Sequence, residues 1–166
     1  MLRSIGSSLC ILLLVGLTGC ASTVSTALEW LGYGPHKAEL RSLRVITTTD
    51  VNQNKAKQSN ATRLDIVAVY DGAAVAQLPK TAPEWFARKH GLLDGMKAAF
   101  DVVSLELPPD TLINDVELPR QVQDALALMA YADYFAEKGQ NGIDLSRTSA
   151  AELRLNAQAV QLVNIK

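Results

Sequence analysis

Residues 63–72, RLDIVAVYDG, contain the clearest β-strand signal in the chain. Side chains alternate between the two faces of a strand. One face here would carry Leu64, Ile66, Ala68 and Tyr70, and the other would carry Asp65, Val67 and Val69. Both faces are apolar except at Asp65, which predicts a central strand covered on both sides. Asp71 and Gly72 then end the strand.

The segment RQVQDALALMAYADYFAEKG, residues 120–139, supports two interpretations. Its alanine and leucine content favours a helix, and Val122, Leu126, Met129 and Ala130 would form a helical stripe. However, residues 126–132 also alternate with the two-residue period of a strand. Local propensity alone favours the helix, and the residues by themselves leave both interpretations open.

Other segments are less ambiguous. LRSLRVITTTD (40–50) is rich in β-branched residues and predicts a strand, while Thr81, Pro83 and Glu84 predict the start of a helix. DVVSLELPP (101–109) predicts a strand followed by a turn, and NDVELP (114–119) predicts one more short strand. AELRLNAQAVQLVNI (151–165) predicts a terminal hairpin that turns at Asn156-Ala157.

The N-terminus has the features of an export signal. The apolar run that ends in LLLVGLTGCAS (12–22) follows Arg3 and is too short to span a bilayer. Leu17-Thr18-Gly19-Cys20 resembles the lipobox of bacterial lipoproteins, in which the cysteine is acylated, for example with palmitate, and the chain is cut before it. We therefore expect a signal peptide at 1–19, a lipidated tether at 20–37 and one domain at 38–166. The alternative is an ordinary signal peptide cut at another small residue.

The residue after Cys20 is Ala21. In enterobacterial-type lipoproteins, aspartate at this place retains the protein in the inner membrane. The resemblance to lipoproteins therefore implies a location on the periplasmic face of the outer membrane, with the acyl chains on Cys20 as the anchor. Three acyl chains would exceed the two that give stable anchoring.

Composition argues against several classes of function. Removal of Arg3 with the signal leaves 15 basic and 17 acidic residues and a net charge of −2, with no basic cluster that would predict nucleic-acid binding. His36 and His90 are the only histidines, and neither lies in a metal-ligand spacing. The sequence contains no nucleophile motif. We therefore expect no catalytic residue, no metal, no cofactor and no enzyme activity.

The order of the segments resembles a known family. After the lipobox come TTDVNQN (48–54), a polar loop, RLDIVAVYD (63–71), PEWFARK (83–89), FDVVSLELPP (100–109), DALALMAYADYF (124–135) and LRLNAQAVQLV (153–163). This order is similar to that of the outer-membrane lipoprotein of type VI secretion systems, the TssJ (VasD) family. The resemblance covers about residues 40–165 and depends on order and spacing.

The resemblance implies a mainly β fold, a two-sheet transthyretin-like β-sandwich with a short helical insert. It also implies a strand at 124–132, against local propensity. Functionally it implies a lipoprotein that anchors the envelope-spanning complex by binding the periplasmic domain of an inner-membrane TssM-type subunit. A periplasmic ligand-binding or envelope-maintenance lipoprotein is the alternative.

The loop at 51–62 is the predicted partner-binding element. It is polar, joins two predicted strands and is longer than the two to five residues of a usual hairpin loop. In the family that the chain resembles, the loop between the first strands contacts the partner. The candidate binding residues are Val51, Asn52, Gln53, Asn54, Lys55, Lys57, Gln58 and Asn60. A plain solvated loop is the alternative, and the aromatic helix start at Trp85 and Phe86 is the second candidate surface.

Overall fold

The computed structural model describes residues 36–136 and 139–165. Cys20, the signal peptide and the tether up to residue 35 lie outside the described residues. Lys37–Lys166 form one compact unit. The described strands are β1 (Ser42–Thr47), β2 (Thr62–Val69), β3 (Phe100–Leu107), β4 (Leu112–Ile113), β5 (Ala127–Ala132), β6 (Ile143–Asp144), β7 (Ala150–Leu155) and β8 (Val160–Asn164).

The strands form two four-stranded sheets, which confirms the predicted mainly β sandwich. Sheet A has the order β4-β1-β7-β8, and sheet B has the order β3-β2-β5-β6. Two helices, α1 (Gly72–Val75) and α2 (Ala82–Gly95), follow β2, and 3-10 helices lie at Lys97–Ala99 and Val122–Asp124. No helix of the described part of the chain is long and apolar enough to span a membrane.

Strand β2 occupies the centre of sheet B, as its two apolar faces predict. It pairs in antiparallel fashion with β3 on one side and with β5 on the other. Leu64, Ile66 and Ala68 face the core between the sheets. Val67 and Val69 face the opposite side and pack in a second cluster beneath α2.

Residues 127–132 form strand β5, so the helix favoured by local propensity does not form there. All of its residues except Met129 are buried. Leu128 and Ala130 belong to the core between the sheets, while Ala127 and Tyr131 belong to the second cluster. Burial of both faces next to β2 therefore overrides the helical preference of alanine and leucine.

Strand β1 is central in sheet A and has partners from distant parts of the chain. It runs parallel to β7 along its whole length and antiparallel to the two-residue strand β4. The predicted strand at 114–119 is wrong, because the pairing with β1 is made by Leu112 and Ile113 instead. Residues 114–119 have no strand, and Val116 enters the core from this irregular segment.

The terminal hairpin β7–β8 is confirmed. Its connection spans residues 156–159, where the Asn156 side-chain oxygen accepts hydrogen bonds from the backbone N–H groups of Gln158 (3.1 Å) and Ala159 (3.0 Å). These bonds replace the preferred Asn-Gly turn chemistry with an asparagine side-chain turn.

Helix α2 starts as the sequence predicts and covers sheet B. The Thr81 hydroxyl accepts a hydrogen bond from the Glu84 N–H at 3.4 Å, and Pro83 lies in the first turn. The helix continues through Gly91 and ends at Gly95. Trp85 is fully buried against the sheet, stacked on Tyr131 with ring centroids 5.1 Å apart.

Candidate partner-binding site

Four connections meet at one end of the sandwich. They follow β1 (residues 48–61), β3 (108–111), β5 (133–136) and β7 (156–159). We call these residues the loop end. Since β1 and β2 lie in different sheets, the 48–61 connection crosses from sheet A to sheet B and is not a hairpin loop.

Val51 and Asn52 hold the 48–61 connection in place. Val51 is fully buried in the core, and Asn52 is 2% exposed. The Asn52 amide nitrogen donates to the carbonyls of Ala61 and Asp133, each at 3.2 Å, and its side-chain oxygen accepts from the Phe135 N–H at 2.8 Å. These two predicted site residues therefore support the loop from inside. Contacts with a partner would be made by other side chains of the loop.

Asn52 also fixes an uncommon backbone conformation. Its φ of 48° lies in the left-handed region, which asparagine tolerates better than most residues. Its N–H donates to the Asn156 carbonyl at 3.2 Å, and the next N–H, of Gln53, donates to the Ala157 carbonyl at 2.9 Å. The loop is thereby joined to the β7–β8 connection as well as to the segment after β5.

The tip of the loop, residues 54–58, is an ordered turn. The Asn54 side-chain oxygen accepts from the N–H groups of Ala56 (2.9 Å) and Gln58 (3.1 Å), and the Asn54 N–H donates to the Gln58 carbonyl at 3.0 Å. Lys57 adopts a positive φ of 59° within this turn. The tip therefore has a defined shape, although its composition suggests a plain solvated loop.

The base of the tip is closed by Asn60. Its side-chain nitrogen donates to the carbonyls of Gln58 (2.7 Å) and Asn52 (3.2 Å), and its N–H donates to the Val51 carbonyl at 3.2 Å. Lys55, Lys57 and Gln58 are exposed, whereas Gln53, Asn54 and Asn60 are partly exposed. The structure thus brings the predicted residues together and divides them into an exposed tip and a buried support.

The segment after β5 is fixed beside the loop. Arg63 and Asp133 form an ion pair, and the Asp133 N–H donates to the Arg63 carbonyl at 2.9 Å. This pair raises the pKa of Arg63. The Tyr134 hydroxyl, whose pKa is raised by burial, lies 3.1 Å from both the Asn156 and Ala159 carbonyls.

A pocket of about 200 Å³ opens at this place. It is lined by Asn52, Ala61, Arg63, Glu106, Asp133, Tyr134 and Phe135. Sequence reasoning missed Phe135, because the choice between strand and helix at residues 120–135 was itself open. The buried role of Asn52 was also missed, since an asparagine in a polar stretch gives no sign of burial.

The remaining candidate residues do not converge on a catalytic or metal site. His36 and His90 are exposed. Within residues 36–136 and 139–165, no group of three His, Cys, Asp or Glu side chains is placed to hold a metal ion. Trp85 is fully buried, which removes it from the second candidate surface and leaves only the half-buried Phe86 there.

Comparison with known proteins gives a clear structural result. A scan against models of protein families and a search of curated proteins find no match. Among solved structures, the T6SS lipoprotein TssJ1 from Pseudomonas aeruginosa superposes with a TM-score of 0.59 at 18% identity, covering 75% of this chain and 94% of that chain. The chain has the fold of a TssJ lipoprotein.

Two further structures share this fold. Lip from Serratia marcescens, a membrane-bound component of the type VI secretion system, gives a TM-score of 0.57 at 13% identity and covers 74% of this chain and 96% of its own. A chain from the structure of the TssM C-terminal domain from EAEC gives 0.55 at 13% identity, with the same coverage of 74% and 96%. The structural matches thus agree with the β-sandwich that the order of the segments predicts.

Proposed function

We propose that the chain is an outer-membrane lipoprotein of a type VI secretion system that binds the periplasmic domain of a TssM-type inner-membrane subunit. The observation that carries this proposal is the fold that the chain shares with TssJ1 and Lip over about three quarters of its length. The lipobox at Leu17–Cys20 supports membrane anchoring. The match to a chain from a TssM C-terminal domain structure supports the choice of partner.

The arrangement of β1 supports this function. The tether would join the domain at Lys37, before β1, and the 48–61 connection follows the other end of β1. A six-residue strand spans about 20 Å. A lipid-anchored domain would therefore present the loop end away from the tethered end, where a periplasmic partner can reach it.

The packing between the two sheets favours a function in binding a protein partner over a function as a ligand carrier. Between the sheets, the described core contains 20 buried apolar residues, including Leu43, Leu64, Leu128 and Leu153 at 0% exposure. A pocket of about 670 Å³ lies instead beside the start of β1, lined partly by Lys37, Glu39 and Arg41. Lipid or glycan carriers usually have a deep apolar cavity, which this charged surface pocket does not resemble.

Shortening the loop tip tests the proposed interface. The variant replaces residues 54–58 with Gly-Gly and keeps Val51, Asn52 and Asn60, so the buried support remains. We expect the detergent-solubilised full-length lipoprotein to lose affinity for the partner's periplasmic fragment by at least about 100-fold, because the ordered contact surface is removed. The measurement is a titration by biolayer interferometry.

The matched control is Lys55→Ala with Lys57→Ala, which removes charge and leaves the backbone of the tip in place. Charged residues at a rim mainly affect association rate and salt sensitivity, so the expected loss is about 3- to 10-fold and shrinks at 0.5 M salt. A folded, shortened variant that binds as tightly as the natural chain would place the interface elsewhere. Absence of binding by the natural chain would refute the proposed partner.

Anchoring is tested separately at Cys20. We expect labelled palmitate to be incorporated into the natural chain and not into Cys20→Ser, which should remain an unprocessed precursor or become soluble. Sucrose-gradient separation of the two membranes then locates the labelled protein. Labelling of both forms, or of neither, would contradict the lipobox assignment.

A further inference from the structure

Phe135 is a large apolar side chain exposed at the loop end. It is 63% exposed, more than the other exposed large apolar residues of the described chain, Leu112, Leu162 and Ile165. Its neighbours Ala132 and Tyr134 are buried. Covering a phenyl ring that is exposed to water is favourable, so this side chain can contribute binding free energy if a partner covers it.

Hydrogen bonds hold the chain at Phe135 and at the two residues before it. Its N–H donates to the buried Asn52 side chain at 2.8 Å, and the Asp133 N–H donates to the Arg63 carbonyl at 2.9 Å. Tyr134, between them, is fixed by its hydroxyl at the β7–β8 connection. An aromatic residue on a rigid backbone loses little conformational entropy on binding, so it suits the role of an anchor.

Asn52 connects Phe135 directly to the partner-binding loop. The same side chain accepts from Phe135 and donates to Ala61, at the end of the 48–61 connection. Phe135 and Ala61 also line the same pocket at the loop end. A partner that contacts the 48–61 connection at Ala61 therefore also meets the phenyl ring.

The charges around the ring constrain the partner. Arg63 is paired with Asp133, while Glu106 has no ion-pair partner among the described side chains, so the pocket beside Phe135 has a net negative charge. The loop tip, by contrast, carries Lys55 and Lys57. The complementary surface thus combines an apolar depression with a basic group near Glu106 and acidic groups near the tip.

We propose that Phe135 is the main apolar anchor of this interface and inserts into an apolar depression on the TssM-type periplasmic domain. This inference rests on the proposed function and adds a residue outside the loop to it. Interface energy is typically concentrated in a few well-packed residues, whereas rim charges contribute less. Phe135 should therefore contribute more to affinity than the two tip lysines together.

The test is Phe135→Ala in the full-length lipoprotein, titrated against the partner's periplasmic fragment. The backbone N–H that bonds to Asn52 is kept, so the thermal midpoint should not change. We expect a loss of affinity of at least about 30-fold, mostly as faster dissociation and equally at 0.1 M and 0.5 M salt. Phe135→Leu, which keeps an apolar side chain, should recover part of the loss.

Ile165→Ala is the matched control, because Ile165 is also exposed and apolar but lies beside Ala150, at the opposite end of sheet A. It should bind within about twofold of the natural chain. A loss below tenfold for Phe135→Ala, or an equal loss for Ile165→Ala, overturns the anchor. If the anchor is overturned while the shortened loop still abolishes binding, the proposed function stands and only the role of Phe135 fails. If the natural chain does not bind the fragment, the proposed function and the anchor are both overturned.

Discussion

The outer faces of the two sheets each bury a carboxylate, but they do so by different means. On sheet B, Asp65 is 1% exposed beneath α2. Its Oδ2 accepts hydrogen bonds from the Trp85 indole N–H at 2.7 Å and from the Lys89 ammonium group at 3.0 Å. The helix that follows β2 along the chain thus supplies both the cover and the hydrogen-bond donors.

On sheet A, Glu152 is 3% exposed without a helix above it in the described structure. Arg44, its register partner on β1, donates at 3.1 Å, and Arg154, two residues along β7, donates to the other oxygen. Both arginine side chains remain about half exposed. A carboxylate on a sheet face can therefore be covered by a packed helix or by neighbouring side chains of the same sheet, and the two arrangements should differ in how much stability they provide.

The largest effect should come from removing the helical cover. Trp85→Ala deletes the stacked contact with Tyr131 and the hydrogen bond to Asp65, and it leaves a cavity. We expect the free energy of unfolding to fall by about 3–5 kcal/mol, measured by urea denaturation. The neighbouring Phe86→Ala, which removes a half-buried ring, is the control and should cost less than half as much. Equal losses of unfolding free energy in the two variants would show that the partly exposed face of α2 contributes as much stability as its buried face.

A smaller effect is expected on sheet B at alkaline pH. Burial, together with the nearby Glu84 charge, raises the pKa of Tyr131 from 10.0 to about 12. The folded state therefore keeps this proton to higher pH than the unfolded state, and stability falls as pH rises from 10 to 12, by about 2 kcal/mol for this group.

Urea denaturation at pH 8 and pH 11.5 measures this loss. Tyr131→Phe should lower stability at pH 8, because the hydroxyl no longer donates to the Pro79 carbonyl (2.7 Å), but its further loss at pH 11.5 should be smaller. The pKa of Tyr134 is also raised by burial, so the unfolding free energy of the variant should still fall somewhat as pH rises. Identical slopes in both proteins would contradict the role of Tyr131.

The smallest effect should come from sheet A at acid pH. The hydrogen bond from Arg154, followed by that from Arg44, lowers the pKa of Glu152 below its ordinary value. Its stabilising contribution is present above the unfolded-state pKa and is lost as pH falls through the lower folded-state pKa. We expect a slight fall in the denaturation midpoint below pH 4, because ion pairs to exposed arginines contribute little.

Glu152→Gln should remove that acid-dependent fall, and Glu106→Gln, at a carboxylate with no ion-pair partner among the described residues, should leave it unchanged. If Glu152→Gln destabilises the protein as much as Trp85→Ala does, the difference between the two faces disappears.

The parts of the fold that were predictable from sequence are those set by local alternation or local turn chemistry. Strand β2, the start of α2 at Thr81 and the β7–β8 hairpin are examples. Strand β5 was ambiguous, because burial against β2 decides its conformation and the resemblance to TssJ was needed to predict it. The misplaced strand at 114–119 has the same cause: pairing with β1 selects Leu112 and Ile113 over the neighbouring alternating residues.

The candidate site was predictable to a similar extent. The polar composition of residues 51–62 predicted a connection between strands, and this connection is present. The sequence did not reveal that Asn52 is buried, because its three side-chain hydrogen bonds involve Ala61, Asp133 and Phe135, two of which lie far along the chain. Phe135 entered the site only through that long-range contact.

The parallel pairing of β1 with β7 also sets the order of events during folding. Arg44 and Glu152 face each other across 108 residues of chain, so β1 leaves the ribosome long before its partner strand is made. Pairings of such long sequence separation form slowly, because the closure of a long loop precedes any gain from the contacts. Sheet A therefore cannot form until β7 has been synthesised, so β1 remains without its parallel partner while the whole of sheet B is being made.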